Sequence, residues 1–206
     1  MPIYRRDDMN VLFVHVPKTA GTTIERVFRH SGFKEHYRDS KVGPGTVNRL
    51  RLCSPQHMHA ELLRNLFHLD RFDVTFMVVR DPIARFRSEF AMRHKADVPL
   101  KEARVERWAD KVFGAYSRNR FALDNHLRPQ SEFCLPAAQV FRIEDGLDAA
   151  VTHLNDHFGL GLPTELPRVM DREKGSGVPS RSVPISAGLD ARLRAFYSAD
   201  FARFGY

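Results

Sequence analysis

NVLFVHVPKTAGTT, Asn10 to Thr23, is the stretch that decides how this chain folds. Asn10 to Val16 is short, mostly apolar and rich in β-branched residues, with Pro17 and Gly21 bounding it, so it reads as a buried strand. A helix follows: Thr22 or Thr23 caps it, and Ile24, Val27 and Phe28 recur at helical spacing. A strand that turns at a glycine into a helix makes an anion site. Gly21 lets the backbone turn tightly, the amides of Ala20 to Thr23 point at a phosphate, the helix dipole favours its charge, and both threonines add hydroxyl donors. Lys18 adds a mobile positive charge. The octet Val16 to Thr23 is not the GxxxxGK[ST] loop, because its lysine stands three residues before the glycine and no acidic strand end follows to hold magnesium. Alone, it also fits a plain strand-to-helix turn with a solvated lysine.

The rest of the chain repeats the alternation. Residues 31 to 56 hold Gly32, Gly43, Pro44, Gly45 and Pro55 among polar residues and read as an irregular excursion with one short helix around Val47 to Leu52. Ala60 to Phe67 is helical, Asp73 to Val79 is a second apolar strand, and Arg80 lies at its carboxyl end. Asp81 and Pro82 supply an N-cap and a first-turn proline for a helix to about His94. A helix over Leu100 to Ser117 carries the apolar stripe Val105, Trp108, Ala109, Val112, Phe113 and Tyr116. Ala138 to Ile143 is a third strand, Leu147 to Phe158 a helix stopped by Gly159, and Leu189 to Phe204 a closing helix. Between them, 159 to 184 reads as a long surface loop. Apolar strands separated by helices predict an α/β protein, a central parallel sheet flanked by helices in three layers, with ligands beyond the strands' carboxyl ends.

Composition narrows the function. The chain has 206 residues, 43% apolar, with 32 Lys and Arg against 25 Asp and Glu for a formal charge of +7. That is enough for a sizeable core, and residues 1–206 are expected to form one domain. No stretch approaches a bilayer span and the amino terminus turns charged at once, so neither a membrane span nor a secretory signal is expected. Only Cys53 and Cys134 are present, which favours a reducing, cytoplasmic setting over a disulfide framework. The basic residues are scattered with no run longer than two, which argues against a nucleic-acid tail and for a pocket that collects phosphates or sulfates.

A second segment fits such a pocket. In RDPIARFRSEF, Arg80 to Phe90, Arg80 ends a strand and Ser88 lies about two turns into the next helix, so a guanidinium fork and a compact hydroxyl meet one crevice.

Together the two segments resemble the sulfotransferases that use 3′-phosphoadenosine 5′-phosphosulfate (PAPS). In that family a PK-x-x-GTT loop binds the 5′-phosphosulfate, and an arginine with a serine eight residues later binds the 3′-phosphate. Lys18, Gly21, Thr22 and Thr23 match the first element, and Arg80 and Ser88 the second. The resemblance covers about residues 11 to 206 and implies a P-loop-like fold in which Lys18, Thr19, Ala20, Gly21, Thr22, Thr23, Arg80 and Ser88 bind PAPS, with 3′,5′-ADP as product. HVPKTAGTT, NHLRPQ (Asn125 to Gln130), VFRIED (Val140 to Asp145) and DFARFGY (Asp200 to Tyr206) look like the carbohydrate-type branch, similar to the uronyl or heparan sulfate 2-O-sulfotransferases.

His57-Met58-His59 by itself is a histidine pair without the third ligand a zinc site needs. Uronyl 2-O-sulfotransferases carry an HxH element between the phosphate motifs, its second histidine the catalytic base. The resemblance thus implies His59 as base and His57 as its neighbour in the acceptor pocket, although much of those enzymes' insert is missing here. It also places His126 and Arg128 near acceptor or cofactor; His15 reads as a core histidine, and Arg181 and Ser182 read equally as residues that close over the nucleotide or as part of a mobile surface loop. The implied reaction is in-line, metal-free sulfuryl transfer to a glycan hydroxyl, with Lys18 and the loop amides stabilising the leaving nucleotide. A magnesium- and ATP-dependent kinase and a basic nucleic-acid module remain the rivals; the second predicts steeply salt-dependent affinity.

Overall fold

The computed structural model describes residues 2–94, 100–165 and 178–206. Five strands form one sheet in the order β3-β1-β2-β4-β5. They are β1 (Ile3–Arg6), β2 (Met9–Val14), β3 (Lys34–His36), β4 (Val74–Val79) and β5 (Gln139–Arg142). β2, β4 and β5 run parallel, with Val11 opposite Val74 and Phe76 opposite Gln139. The sheet is not wholly parallel, because β1 pairs antiparallel with both β2 and β3.

Period-two alternation divides the core. Val11, Phe13, Phe76 and Val78 face α1 (Gly21–His30) and α5 (Leu147–Phe158), meeting Ile24, Val27, Phe28, Val151 and Leu154. Leu12, Val14, Met77 and Val79 face the other way, onto Leu63 of α2 (Ala60–Leu66) and Phe133. Helices on both faces explain why Val11 to Val14 are fully buried. A third cluster joins α3 (Pro82–Arg93), α4 (Glu102–Arg118) and α6 (Ala187–Phe196) through Phe86, Phe90, Val105, Ala109, Leu189 and Leu193.

Three expectations change. Tyr197 (φ −100°, ψ 21°) interrupts the closing helix, so α6 is followed by a separate α7 (Ser198–Phe204). The Tyr197 hydroxyl donates to the Leu127 carbonyl at 3.0 Å, which fixes the break. Around Val47 to Leu52 there is no helix but a run of turns in which Thr46, Arg49 and Arg51 amides donate to Gly43, Thr46 and Asn48 carbonyls. The expected 159 to 184 surface loop lies outside the described residues over 166–177, but Val178 and Val183 beyond it are buried in the third cluster. No helix among the described residues is long and apolar enough to cross a membrane.

Candidate active site

The parallel strands β2 and β4 end beside one another, and the loops that leave them open onto a cleft of about 710 Å³. The β2–α1 loop turns through Lys18 (φ 72°) and Ala20 (φ 67°), two left-handed non-glycine residues, and the Thr23 amide, expected to face an anion, donates instead to the Ala20 carbonyl at 2.9 Å because it closes the first turn of α1. Ala20, not a threonine, holds the cap position, and it makes no side-chain cap bond. Thr22 and Thr23 therefore sit in the first turn of α1 and line the cleft with Lys18, Ala20 and Gly21. Gly21 is required sterically, since a Cβ there would lie 1.9 Å from His15 Nε2. Thr19 differs from its neighbours: it is fully buried and its hydroxyl donates to the Val16 carbonyl at 2.8 Å, bracing the turn from behind. The Lys18 ammonium reaches across the cleft to Met92 Sδ at 3.3 Å.

Arg80 and Ser88 line the same cleft. Gln130 grips Arg80 at both ends of its peptide, accepting from its amide at 2.9 Å and donating to its carbonyl at 2.7 Å. Asp200 in turn accepts from the Gln130 and Ser131 amides, each at 2.8 Å, so the tail motif buttresses the strand end. Asp81 caps α3 as expected, accepting from the Ala84 amide at 2.7 Å. The Arg80 guanidinium stands 3.5 Å from the Lys18 carbonyl, so the two basic residues share one wall.

A second wall is a row of three histidines that begins at His15, packed against Gly21. The His57 ring lies edge-on to His15 at 5.1 Å and to His126 at 4.9 Å, and all three line the cleft. Each Nδ1 meets its own carboxylate: His15 to Glu25 at 3.2 Å, His57 to Asp124 at 2.7 Å, His126 to Glu89 at 2.6 Å. Burial pushes His57 down to about 3, against the pull of Asp124, and burial likewise lowers His15. Burial alone would raise Asp124, yet bonds from His57 and Ser54 outweigh it and hold the acid at about 2. Glu89 is held at about 2, its burial outweighed by His126 and Arg93. At neutral pH the central pair is therefore a neutral imidazole donating Nδ1–H to a carboxylate, which leaves the lone pair on His57 Nε2. His57, Asp124 and His126 also bring one ligand atom each within 4.8 Å of one another, a donor set able to take a divalent cation.

His59 stands apart from this wall. It is 4% exposed, packs its ring on Phe121 at 5.7 Å, approaches Glu61 at 3.6 Å and leaves a buried Nδ1 without a hydrogen bond. His57 ends a 3-10 turn, Pro55–His57, whereas His59 stands at the cap position of α2, and only His57 lines the cleft. Arg128 is also turned away: 5% exposed, it donates to Asn125 Oδ1 and the Arg120 carbonyl and pairs with Glu132. Arg181 lines the cleft, on a 3-10 turn with Ser182.

Sequence reasoning passed over Asp124, Glu89, Glu25 and Arg85. Asp124 and Glu89 stand next to the quoted NHLRPQ and Ser88, and that adjacency was the only signal. Arg85, 2% exposed, donates to the carbonyls of Pro17 at 3.0 Å, His126 at 2.8 Å and Arg128 at 3.0 Å, pinning the two walls to each other.

A family model described as the sulfotransferase family matches residues 2–206. The chain belongs to the sulfotransferase family. No curated protein and no solved structure matches it. Membership makes the chain a transferase and accords with its mixed α/β architecture.

Proposed function

We propose that this sulfotransferase moves a sulfuryl group from PAPS to a hydroxyl of a carbohydrate or glycan-bearing acceptor, working as one domain with His57 as general base. The observation that carries the reading is that one cleft holds both Lys18, Thr22, Thr23, Arg80 and Ser88 and a carboxylate-held histidine. Its volume of about 710 Å³ lies within the range of small-ligand sites. The fit to PAPS is supported by the basic side chains of Lys18 and Arg80 that line the cleft, with Gly21 leaving the space that the His15 ring fills behind the turn. On this reading the β2–α1 loop, a P-loop-like element, takes the 5′ end and Arg80 with Ser88 the 3′-phosphate. PAPS supplies the sulfuryl group and leaves as 3′,5′-ADP.

His57 replaces His59 in this scheme because it lines the cleft with Nδ1 engaged by Asp124, which leaves Nε2 as its basic atom and steadies the imidazolium formed when it takes the acceptor proton. Lys18 and the amides of α1's first turn supply positive potential where charge grows on the leaving oxygen. His126 lies beside His57 on the acceptor side. These fixed donors do what a magnesium ion does in phosphoryl transfer, so no metal is assigned. Cys53 and Cys134 are both free thiols, in keeping with a cytoplasmic setting.

The test is a transfer assay with ³⁵S-PAPS over a panel of glycans in EDTA, with the sulfated position read by mass spectrometry. Labelled product in EDTA supports the reading. Transfer only with ATP and magnesium would replace it with a kinase.

A further inference from the structure

The excursion between β3 and α2 leaves the cleft wall at Arg38 and Ser40 and returns to it at Gln56 and His57. Between these points the chain displays apolar side chains to solvent: Val47 and Leu50 are each 89% exposed and Leu52 is 68% exposed. The display is built into the loop. Asn48, 5% exposed, points inward and donates both to Asp39 Oδ2 at 2.8 Å and to the Lys41 carbonyl at 2.9 Å. Three successive turn bonds and the buried Cys53 and Ser54 fix the rest, so Val47 and Leu50 are held outward on either side of that anchor. Collapse of these side chains onto the body would break the Asn48 bonds.

Charge narrows what covers them. Residues 41 to 53 carry Lys41, Arg49 and Arg51, all exposed, and no acidic residue. A second copy seated on this loop would set three cations against three cations, which is repulsive. The loop also offers neither a strand edge nor a helix, the usual frames for docking a peptide or a partner helix. Aliphatic prongs interleaved with arginines suit a fluid apolar medium under an anionic surface, where the prongs enter the acyl boundary and the guanidinium groups meet headgroup phosphates.

We propose that the 41–53 loop seats the mouth of the cleft on an anionic lipid bilayer, so that the hydroxyl acceptor is one anchored in that bilayer. The second half of this statement rests on the sulfotransferase reading above; the first half does not. The test is co-sedimentation of the full chain with vesicles of phosphatidylcholine alone or mixed with phosphatidylglycerol, for wild type and for the paired substitution Val47→Glu and Leu50→Glu. Both positions are exposed, so the fold is expected to persist, and unchanged 3′,5′-ADP affinity and circular dichroism check that it does. Wild type should bind the mixed vesicles and not phosphatidylcholine alone, and each substitution should weaken binding roughly tenfold. Failure to bind mixed vesicles, or equal binding by the variant, overturns the proposal. A wild-type dimer that the variant dissolves, or retention on polyglutamate without vesicle binding, overturns it in favour of a protein partner. Because vesicle binding is read without PAPS, a chain that binds vesicles yet transfers no sulfuryl group loses the functional reading and keeps the docking surface.

Discussion

The wall carrying Lys18, Arg80 and Ser88 is built on the ends of β2 and β4 and the helices that follow them, whereas the wall carrying His57 and His126 hangs from a 3-10 turn, Pro55–His57, and from the turns that lead to His126. The first is positioned by the sheet: parallel register sets Val14 beside Met77, so the residues that follow each strand emerge together. The second is positioned by side chains. Asn125 donates to the His57 carbonyl at 2.8 Å, Asp124 accepts from His57 and Ser54, and Arg85 ties His126 back to Pro17. A wall set by sheet register tolerates the loss of one contact, while a wall set by a few buried bonds loses its geometry with any of them.

The sharpest way to break this comparison is at the base. His57→Ala is expected to lower turnover roughly 10²- to 10⁴-fold, with 3′,5′-ADP affinity nearly unchanged, since it removes a proton acceptor and no phosphate donor. His59→Ala should cost far less turnover, because that ring faces Phe121 rather than the cleft. Steady-state kinetics on both variants decide it, and the reverse ranking would return the base to His59. On the other wall, Lys18→Ala should fold normally and lose roughly 10²-fold or more in turnover, as it removes a cation aimed at developing charge. Near-normal turnover would leave Lys18 without that role.

The same contrast explains what could be read from the sequence. β2, β4 and their helices were legible because continuous apolar runs, Pro17, Gly21 and the Asp81-Pro82 pair are local signals. β1 and β3 were not, because IYRR and KEH are short and charged, and their pairing depends on distant partners. Arg6, for example, is satisfied by the Ser31 and Leu160 carbonyls and the face of Phe33. The acceptor wall was hidden for a further reason. Asp124 reaches His57 through three consecutive left-handed residues, Leu123 (φ 55°), Asp124 (φ 56°) and Asn125 (φ 63°), and leucine carries no signal for that conformation. The HxH pattern named two histidines but not which of them faces the cleft.

The strand-end wall has its own discriminating measurement, the recognition of a 3′-phosphate. Wild type should bind 3′,5′-ADP well above AMP. Arg80→Ala should weaken 3′,5′-ADP roughly 10- to 150-fold, from about 1.5 to 3 kcal/mol for a charged hydrogen bond, and leave AMP unchanged. Calorimetry with both nucleotides reads this directly. Equal weakening of both would mean that Arg80, gripped by Gln130 at its backbone, serves the fold or the 5′ site instead.

The histidine wall should also make the protein acid-sensitive in a way the other wall does not. His57 titrates at about 3 in the fold against about 6.5 in the unfolded chain, so on acidification the unfolded state takes up the proton first. Stability is therefore lost as pH falls below the ordinary histidine value, and His57 alone accounts for about 2 kcal/mol between roughly pH 7 and pH 5. His15, lowered by burial, adds to the same slope. Asp124, Glu25 and Glu89 lie below the ordinary carboxylate range, so their contributions hold above it and vanish at still lower pH, with the same sign. For a chain of this size the His57 share corresponds to a fall of roughly 4 to 8 °C in Tm over those two pH units. His57→Asn should flatten the Tm profile between pH 7 and pH 5, whereas Arg80→Ala should shift it without changing its slope. An unchanged slope in His57→Asn would mean that the imidazole takes up its proton at the same pH in the fold as in the unfolded chain, so that burial would not be what keeps the lone pair on the base.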